Sequence, residues 1–504
     1  MVTHAKVYQS YYTKSASIVR YMVEKLSIAH GLRTLEPCAG DGVFLDALNN
    51  KIPSLPIDVY EMEPQAATAL KNRYESFANI HIHCEDTLTS PGLSLLSNAG
   101  GFYDRIIGNP PYGAWIDYEK RRYLRKLYPG LYVKETYALF LYRCVQLLRE
   151  SGVLVFILPD TFLNIHRHAA LRKYLLRNTL IREVCLFPSS FFPGVNFGYS
   201  NLCVITLQKS GDEDKCTSNH FRVITGLKSV DEMWSLARSL MPYHEVFTFR
   251  QDELLQHTDY ALYVGDPAIS QLIEGSDLQI SDIADCVTGF YSGNDKKYLR
   301  AASAQLRNAK KYAPLDKEFV CDAPLTSEQK ISGIEGSQHF IPIVKGGGIK
   351  YLKPDHWYMD WSVEVVGHYK RDKKARFQNP QYYFRHGIGV PMVSSTRVTA
   401  ALIEEKLFDQ SIVGIFPKDE KWIYYLLAFF NSSTCNTLIR TINPSANNPA
   451  NYIKKLPFVE PMEEVLREID KIISEILLRL RERKDCPAHY ESTLDRLIKD
   501  VYGA

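Results

Sequence analysis

The 504-residue chain has no CxxC pair: its ten cysteines stand alone, and the closest two, Cys203 and Cys216, lie 13 positions apart. That spacing excludes a zinc ribbon or a thioredoxin-like redox centre. Isolated cysteines of this kind serve as small buried apolar side chains in a reducing compartment. No apolar run approaches the roughly 20 residues of a membrane span. The longest lie near Gly152–Leu158 and Tyr424–Phe430. The opening Met1-Val2-Thr3-His4-Ala5-Lys6 is polar, without a signal-peptide core. The expectation is a soluble, cytoplasmic protein with no metal and no membrane partner. An excess of one charge is also missing, since 60 Lys+Arg against 57 Asp+Glu leave only +3. Any polyanion must therefore be met by a local patch. There is no internal repeat and no low-complexity tract. What is abundant is aromatic, with 32 Tyr and 23 Phe. Such rings fill cores, and they also stack on bases.

The length corresponds to about three average domains. Over the first 210 or so residues, short apolar strands alternate with helical periods. Ile18, Val19, Met22, Val23 and Leu26 recur at helical spacing. Strands are predicted at Leu32–Glu36, Ile57–Glu61, Ile80–Cys84, Tyr103–Gly108, Gly152–Leu158 and Leu180–Phe187, with Asn201–Gln208 as the last. Helices are predicted at Gln65–Ser76, Glu135–Arg149 and His168–Asn178. This alternation implies βαβ crossovers and a doubly wound, mixed but mainly parallel α/β sheet. Met241–Gln251 reads as a connection, and residues 255–455 as a second, α+β domain. Val465, Ile469, Ile472, Ile473, Ile476 and Leu480 stripe a terminal amphipathic helix. The expected domains are 1–245, 246–458 and 459–504.

Two motifs carry chemistry. Leu35-Glu36-Pro37-Cys38-Ala39-Gly40-Asp41-Gly42 ends the first strand, and its glycines let the backbone turn sharply against a bound molecule. It lacks both the GxGxxG spacing and a Walker lysine. The site lies at the carboxyl end of a strand, where open α/β sheets bind ligands. The second strand ends in Glu61-Met62-Glu63, and Glu61 is placed to accept from ribose hydroxyls. The third ends in Cys84-Glu85-Asp86, where Asp86 is placed to accept from an adenine amino group. Three carboxylates at successive strand ends suit a cationic cofactor bearing ribose and adenine. S-adenosylmethionine fits them better than a dinucleotide, whose pyrophosphate they would repel. The alternative role for Glu61 and Asp86 is to cap the helices that follow.

The second motif is Asn109-Pro110-Pro111-Tyr112. Two prolines directly after a buried strand cannot continue a ladder, so the corner is expected to be rigid and exposed. It would aim the Asn109 side-chain oxygen and the Pro110 carbonyl at the two hydrogens of one planar NH2 group. Tyr112 would supply a face for the ring bearing that group.

With both motifs in this order, the chain resembles the gamma-class DNA adenine-N6 methyltransferases of bacterial restriction–modification systems. Tyr11–Val19 is similar to that family's N-terminal cofactor motif, Leu35–Gly42 to its glycine motif and Asn109–Tyr112 to its catalytic NPPY, over residues 8–208 or so. Cys38 and Asp41 are variations within a loose motif. The resemblance implies a class I S-adenosylmethionine-dependent methyltransferase fold. It places the cofactor against Tyr12, Thr13, Glu36, Cys38, Gly40, Glu61, Met62, Asp86 and Asn109. It places a base flipped out of double-stranded DNA between Tyr112 and Phe192, its amino group held by Asn109 and Pro110.

Ile280–Tyr298 resembles the start of family target-recognition domains. Within the second domain, the basic run His368–Arg376 offers Lys370, Arg371, Lys373 and Lys374 to phosphates. Lys345–Lys350 carries three glycines, either to bring amides near a phosphate or as a plain flexible turn, and Ser394–Arg397 (with Arg397) and Asn443–Asn448 carry groups of the kind that read base edges. A cognate restriction endonuclease acting on the same site is the implied protein partner. Nuclease activity within this chain is not expected: Pro354-Asp355 is followed by Glu364-Val365-Val366, which lacks the nuclease lysine. Because the tetrad suits any planar NH2, RNA adenine and protein glutamine remain alternative substrates. A non-catalytic DNA-binding subunit is the alternative outside enzymes.

Overall fold

In a computed structural model, the described residues are 13, 15–112, 116–192, 201–237, 245–263, 267–394, 397–443 and 447–503. They fall into two compact units, Met1–Gly265 and Asp266–Ala504.

The first unit is built on nine strands: β1 Thr34–Glu36, β2 Ile57–Tyr60, β3 Ile80–His83, β4 Tyr103–Gly108, β5 Leu148–Pro159, β6 Thr179–Pro188, β7 Asn201–Lys209, β8 His220–Thr225 and β9 Glu245–Arg250. Its helices include α1 Ala16–Leu26, α2 Val43–Lys51, α3 Pro64–Arg73, α4 Pro91–Asn98, α5 Tyr118–Leu127, α6 Thr136–Leu147 and α7 Ala169–Asn178. The strands lie in the order 3-2-1-4-5-7-6-8-9. The first five are mutually parallel, and β7 runs antiparallel to both β5 and β6. This is the doubly wound, mainly parallel sheet expected. Its central strands are buried on both faces, which is why β4 and β5 read as near-continuous apolar runs.

The local sequence explains where elements start. Ser15 caps α1, which buries Ile18, Val19, Met22, Val23 and Leu26. Pro64 opens α3 under the Glu63 side chain, which accepts from the Ala66 amide at 2.6 Å.

Several boundaries differ from expectation. Asn201–Lys209 is not the last strand, because β8 joins β6 in parallel and β9 pairs antiparallel with β8. Residues 245–250, expected to be a connection, thus form the outermost strand, and the unit extends to Gly265 rather than 245. Their alternation of exposed Val246 and Thr248 with partly buried Phe247 and Phe249 suits an edge strand with one covered face. The helix expected over Glu135–Arg149 ends at Leu147, where the chain turns directly into β5.

The second unit holds two sheets. Ala284–Thr288, Ile412–Pro417, Gly387–Pro391 and Ala401–Ile403 form an antiparallel one. The other has five short strands, ordered Ala313–Pro314, Leu299–Ala301, Trp357–Asp360, Phe340–Val344 and Leu407–Phe408. Its core is aromatic: Phe290, Trp361 and Tyr369 are buried and meet edge-on or tilted at 4.9–6.2 Å. Much of this unit's aromatic richness is therefore internal packing. The terminal stripe lies on Glu463–Arg481, followed by a second helix, Ala488–Tyr502. These helices are not a separate domain. Tyr502 stacks on Phe429 at 5.0 Å, and Asp495 accepts from Ser433 Oγ at 2.7 Å.

Candidate functional site

The order of the sheet reverses between β1 and β4, and the crevice outside such a switch point is where open α/β sheets bind ligands. The chain places both motifs there. After β1, Gly40 and Gly42 adopt φ of 55° and 82°, the left-handed region. Gly42 caps α2, and a Cβ on it would stand 2.7 Å from Leu70 Cδ2. Across the switch, a Cβ on Gly108 would meet Pro37 Cδ at 3.3 Å and Cys38 Sγ at 3.4 Å, so the two motifs pack directly together.

Glu61 ties the loop down. Its carboxylate accepts the Gly40 amide and the Glu63 amide, each at 2.8 Å. Helix capping after β2 falls to Glu63, not Glu61. Asp86 accepts from the Leu88 amide at 3.0 Å and is ion-paired with Lys120 at 2.8 Å. Met62 and Cys38 are partly buried on the same rim, and the Cys38 thiol is pushed up chiefly by its burial.

Glu36 is the unusual group. It is 1% exposed, and its Oε2 has no hydrogen-bond partner. Burial first, then the carboxylates of Asp41, Glu61 and Asp46, raise its carboxyl well above the ordinary value. A buried carboxylate with one oxygen lacking a donor, in a ring of acids, is suited to a cationic ligand.

Asn109 closes the other side. Its Nδ2 donates to Thr13 Oγ1 at 3.0 Å, bringing the N-terminal segment onto the tetrad. Tyr12, the other residue expected there, lies outside the described residues. The diproline corner is not exposed as expected: Pro110 is buried and Tyr112 is 1% exposed. The Pro111 carbonyl accepts from Thr136 Oγ1 at 2.6 Å, and the Tyr112 ring meets Tyr137 edge-on at 6.4 Å. Drawing the ring inward removes its apolar surface from water. Phe192 is likewise buried, its ring parallel to Phe187 at 6.4 Å, beyond the carboxyl end of β6.

Sequence reasoning missed the support behind Tyr112. The Tyr137 hydroxyl donates to Glu135 at 2.8 Å and lies 3.0 Å from His168 Nε2, itself 2.7 Å from Glu135. Burial would raise the Glu135 carboxyl, but His168 and the Tyr137 hydroxyl outweigh it and hold it below its ordinary value. Also missed was Asp160, just past β5. It is 4% exposed and accepts from Asn201 Nδ2 at 3.2 Å, and burial pushes its carboxyl up to about 7 despite that bond. Neither group stands in a contiguous motif that could have revealed it.

In the second unit, Lys370, Arg371, Lys373 and Lys374 are exposed at and just past the end of the helix Val363–Arg371. Arg397 faces Asp495 at 3.7 Å. Lys345 is engaged by Asp295 at 3.1 Å and Asp409 at 2.7 Å, so it serves the fold. Asn443 and Asn448 are wholly buried and bonded to one another at 3.1 Å, which rules them out as base readers. Ser395, Thr396 and Pro444–Ala446 lie outside the described residues. Among the described residues, no group of three His, Cys, Asp or Glu is placed to hold a metal, and no helix is long and apolar enough to cross a membrane.

The family model of the Eco57I restriction-modification methylase matches residues 42–192. The chain is 23% identical over 222 residues to the Type II methyltransferase M.AccI of Acinetobacter calcoaceticus, covering 43% of this chain and 39% of that one. It is 22% identical over 367 residues to the adenine-specific methyltransferase BrxX of Escherichia coli O9:H4 (strain HS), covering 71% and 28%. The chain thus spans less than half the length of these curated relatives. Among solved structures, the DrdV–DNA complex superposes with a TM-score of 0.53 at 12% identity, covering 94% of this chain and 57% of that one. Glycine loop, acidic strand ends and diproline corner all lie at the carboxyl ends of the strands about one switch point, within or next to the segment 42–192 that is similar to the Eco57I restriction-modification methylases, on a class I methyltransferase fold.

Proposed function

We propose that the protein is a site-specific DNA methyltransferase that methylates N6 of an adenine flipped out of double-stranded DNA, with S-adenosylmethionine as donor. The carrying observation is the pairing, across one switch point, of a buried carboxylate oxygen lacking a donor with an asparagine amide fixed by Thr13. Glu36, Glu61 and Asp86 suit the donor's cationic, ribose and adenine groups. When bound, it supplies a sulfonium-activated methyl group.

The chain's own residues orient the acceptor. Asn109 Oδ1 and the Pro110 carbonyl take the two hydrogens of the amino group, which draws the N6 lone pair out of conjugation and toward the methyl carbon. The N6 proton leaves to solvent after transfer, so no strong general base is required. Most of the rate enhancement is then orientation. Tyr112 and Phe192 are to hold the ring. Because Tyr112 is only 1% exposed, it must swing from Tyr137 as the base enters.

The similarity to a Type II methyltransferase and to an adenine-specific methyltransferase supports this reading, as does a structural neighbour bound to DNA. The implied setting is a restriction–modification system, with a cognate endonuclease as partner and the second unit reading the target sequence. Lys370, Arg371, Lys373 and Lys374 are its candidate phosphate contacts.

Methylome sequencing of a host expressing the protein tests the reading, with N6-methyladenine in one sequence context as the expected result. In parallel, labelled donor is offered to duplex DNA, structured RNA and a glutamine peptide. Label in RNA or peptide alone would replace this reading, and label in none of them would end it.

A further inference from the structure

Helix α5 leaves the candidate site with an unusual surface. Within ten residues it carries Lys120, Arg121, Arg122, Arg125 and Lys126 against a single acid, Glu119. Leu124 is fully buried and holds the helix to the fold, while Tyr118 is 66% and Tyr123 51% exposed. Tyr118, Arg122 and Arg125 stand at i, i+4 and i+7, so they share one outward face, with Lys126 beside Arg122. Lys120 is occupied by Asp86, and Arg121 donates to the Asp117 carbonyl at 3.3 Å. Among the described residues, Arg122, Arg125 and Lys126 pair with no carboxylate.

The position of this face matters as much as its charge. The helix begins six residues beyond Tyr112. The Lys120–Asp86 ion pair at 2.8 Å pins it to the rim at β3, and just past its end the Tyr128 hydroxyl donates to the Leu88 carbonyl at 2.6 Å. The helix therefore runs beside the crevice, with Arg122, Arg125 and Lys126 on its outward side, away from the Lys120 contact.

The chemistry of the face selects its partner. Protein interfaces gather apolar residues at a core depleted of charge, and here the single leucine of the central turn points inward. A lipid surface needs a continuous apolar helix face, whereas the exposed Tyr118, Tyr123 and Leu127 of α5 are interspersed with Arg122, Arg125 and Lys126. Regularly spaced cations with interleaved rings match the phosphates and sugars of a nucleic-acid backbone.

We propose that α5 is a docking strip for the backbone of duplex DNA beside the target adenine, with Arg122, Arg125 and Lys126 each meeting a phosphate and Tyr118 and Tyr123 packing on the sugars. This rests on the reading of DNA as substrate. The strip contributes affinity and register and no sequence specificity, which stays with the second unit.

The test uses the full chain, a duplex oligonucleotide and a salt titration. In the triple variant Arg122→Gln/Arg125→Gln/Lys126→Gln, the slope of log affinity against log salt becomes shallower by about three, one per lost phosphate contact. The KM for DNA rises at least tenfold, kcat at saturating DNA holds, and the melting temperature does not move. Glu119→Gln, which removes the helix's one acid, tightens binding. An unchanged slope and KM in the triple variant would overturn the proposal, as would a loss confined to structured RNA. If the unaltered chain binds duplex DNA through α5 but methylates none, the activity reading fails and the strip stands. If it methylates DNA and the triple variant matches it at every salt concentration, the strip fails and the activity reading stands. A chain that binds no duplex at all ends both.

Discussion

Thr13 and Asn109, 96 positions apart, meet in a 3.0 Å hydrogen bond in which the asparagine amide nitrogen is the donor. With Nδ2 turned to Thr13 Oγ1, Oδ1 is the atom directed elsewhere. Thr13 was expected among cofactor contacts, and in the structure it meets Asn109 of the tetrad. Thr13→Val is therefore predicted to lower kcat by about tenfold, the worth of one lost hydrogen bond, with little change in donor affinity. Asn109→Ala is predicted to abolish methyl transfer while donor binding largely survives. Single-turnover kinetics with calorimetric donor titration separates the two effects, and retained turnover in Asn109→Ala would refute the assigned role.

Glu36 has a raised carboxyl pKa in the folded chain, so its contribution to stability is fullest at low pH and is lost as pH rises and the buried group ionises. Glu36→Gln is predicted to raise the melting temperature of the donor-free protein at pH 8 and to leave it nearly unchanged at pH 5. The same change should weaken donor binding at least tenfold, because the amide cannot offset a cation. A variant that binds donor normally would remove Glu36 from the site.

Asp160 gives a bounded pH window. Its carboxyl sits at about 7 against an ordinary 3.8, so the native state holds a proton that the unfolded chain releases. Stability from this group falls as pH rises from about 4 to about 7, by ~4 kcal/mol at most at 1.36 kcal/mol per pKa unit. Asp160→Asn should flatten that slope in denaturant titrations between pH 5 and pH 8. An unaltered slope would mean the aspartate does not titrate there.

Tyr137 is predicted to set the resting place of Tyr112. Tyr137→Phe leaves Glu135 paired with His168 but drops the hydroxyl bonds, costing about 1 kcal/mol of stability. It should also lower kcat by about tenfold and reduce the fluorescence of a 2-aminopurine placed at the target position. Loss of stability with flipping and kcat intact would limit Tyr137 to a structural role.

The parts of the site legible from sequence were those whose chemistry is contiguous. The glycine loop, the acidic strand ends and the NPPY corner each sit within a few residues at a strand terminus, and the sheet brings them together. Distant pairings were invisible. Nothing local in Asp86 announces Lys120, and nothing in Tyr112 announces that Tyr137 will draw its ring inside. Composition left two readings open in the second unit, where Phe290, Trp361 and Tyr369 fill a core and Asn443 donates to the buried Asn448 side-chain oxygen. The edge strand Glu245–Arg250 escaped notice because only one of its faces is covered. Conversely, the basic side chains Lys370, Arg371, Lys373 and Lys374 are exposed, as their charge implied.

The Lys120–Asp86 ion pair joins two occupants that never touch. On the proposed reading Asp86 holds the donor and α5 meets the duplex, so a donor that engages Asp86 would compete for the Lys120 counterion. Loading the pocket would then free the Lys120 ammonium, and by thermodynamic reciprocity any gain in duplex affinity that follows would be matched by an equal gain in donor affinity. One 2.8 Å contact would thus make the order of loading immaterial and the doubly loaded state the favoured one.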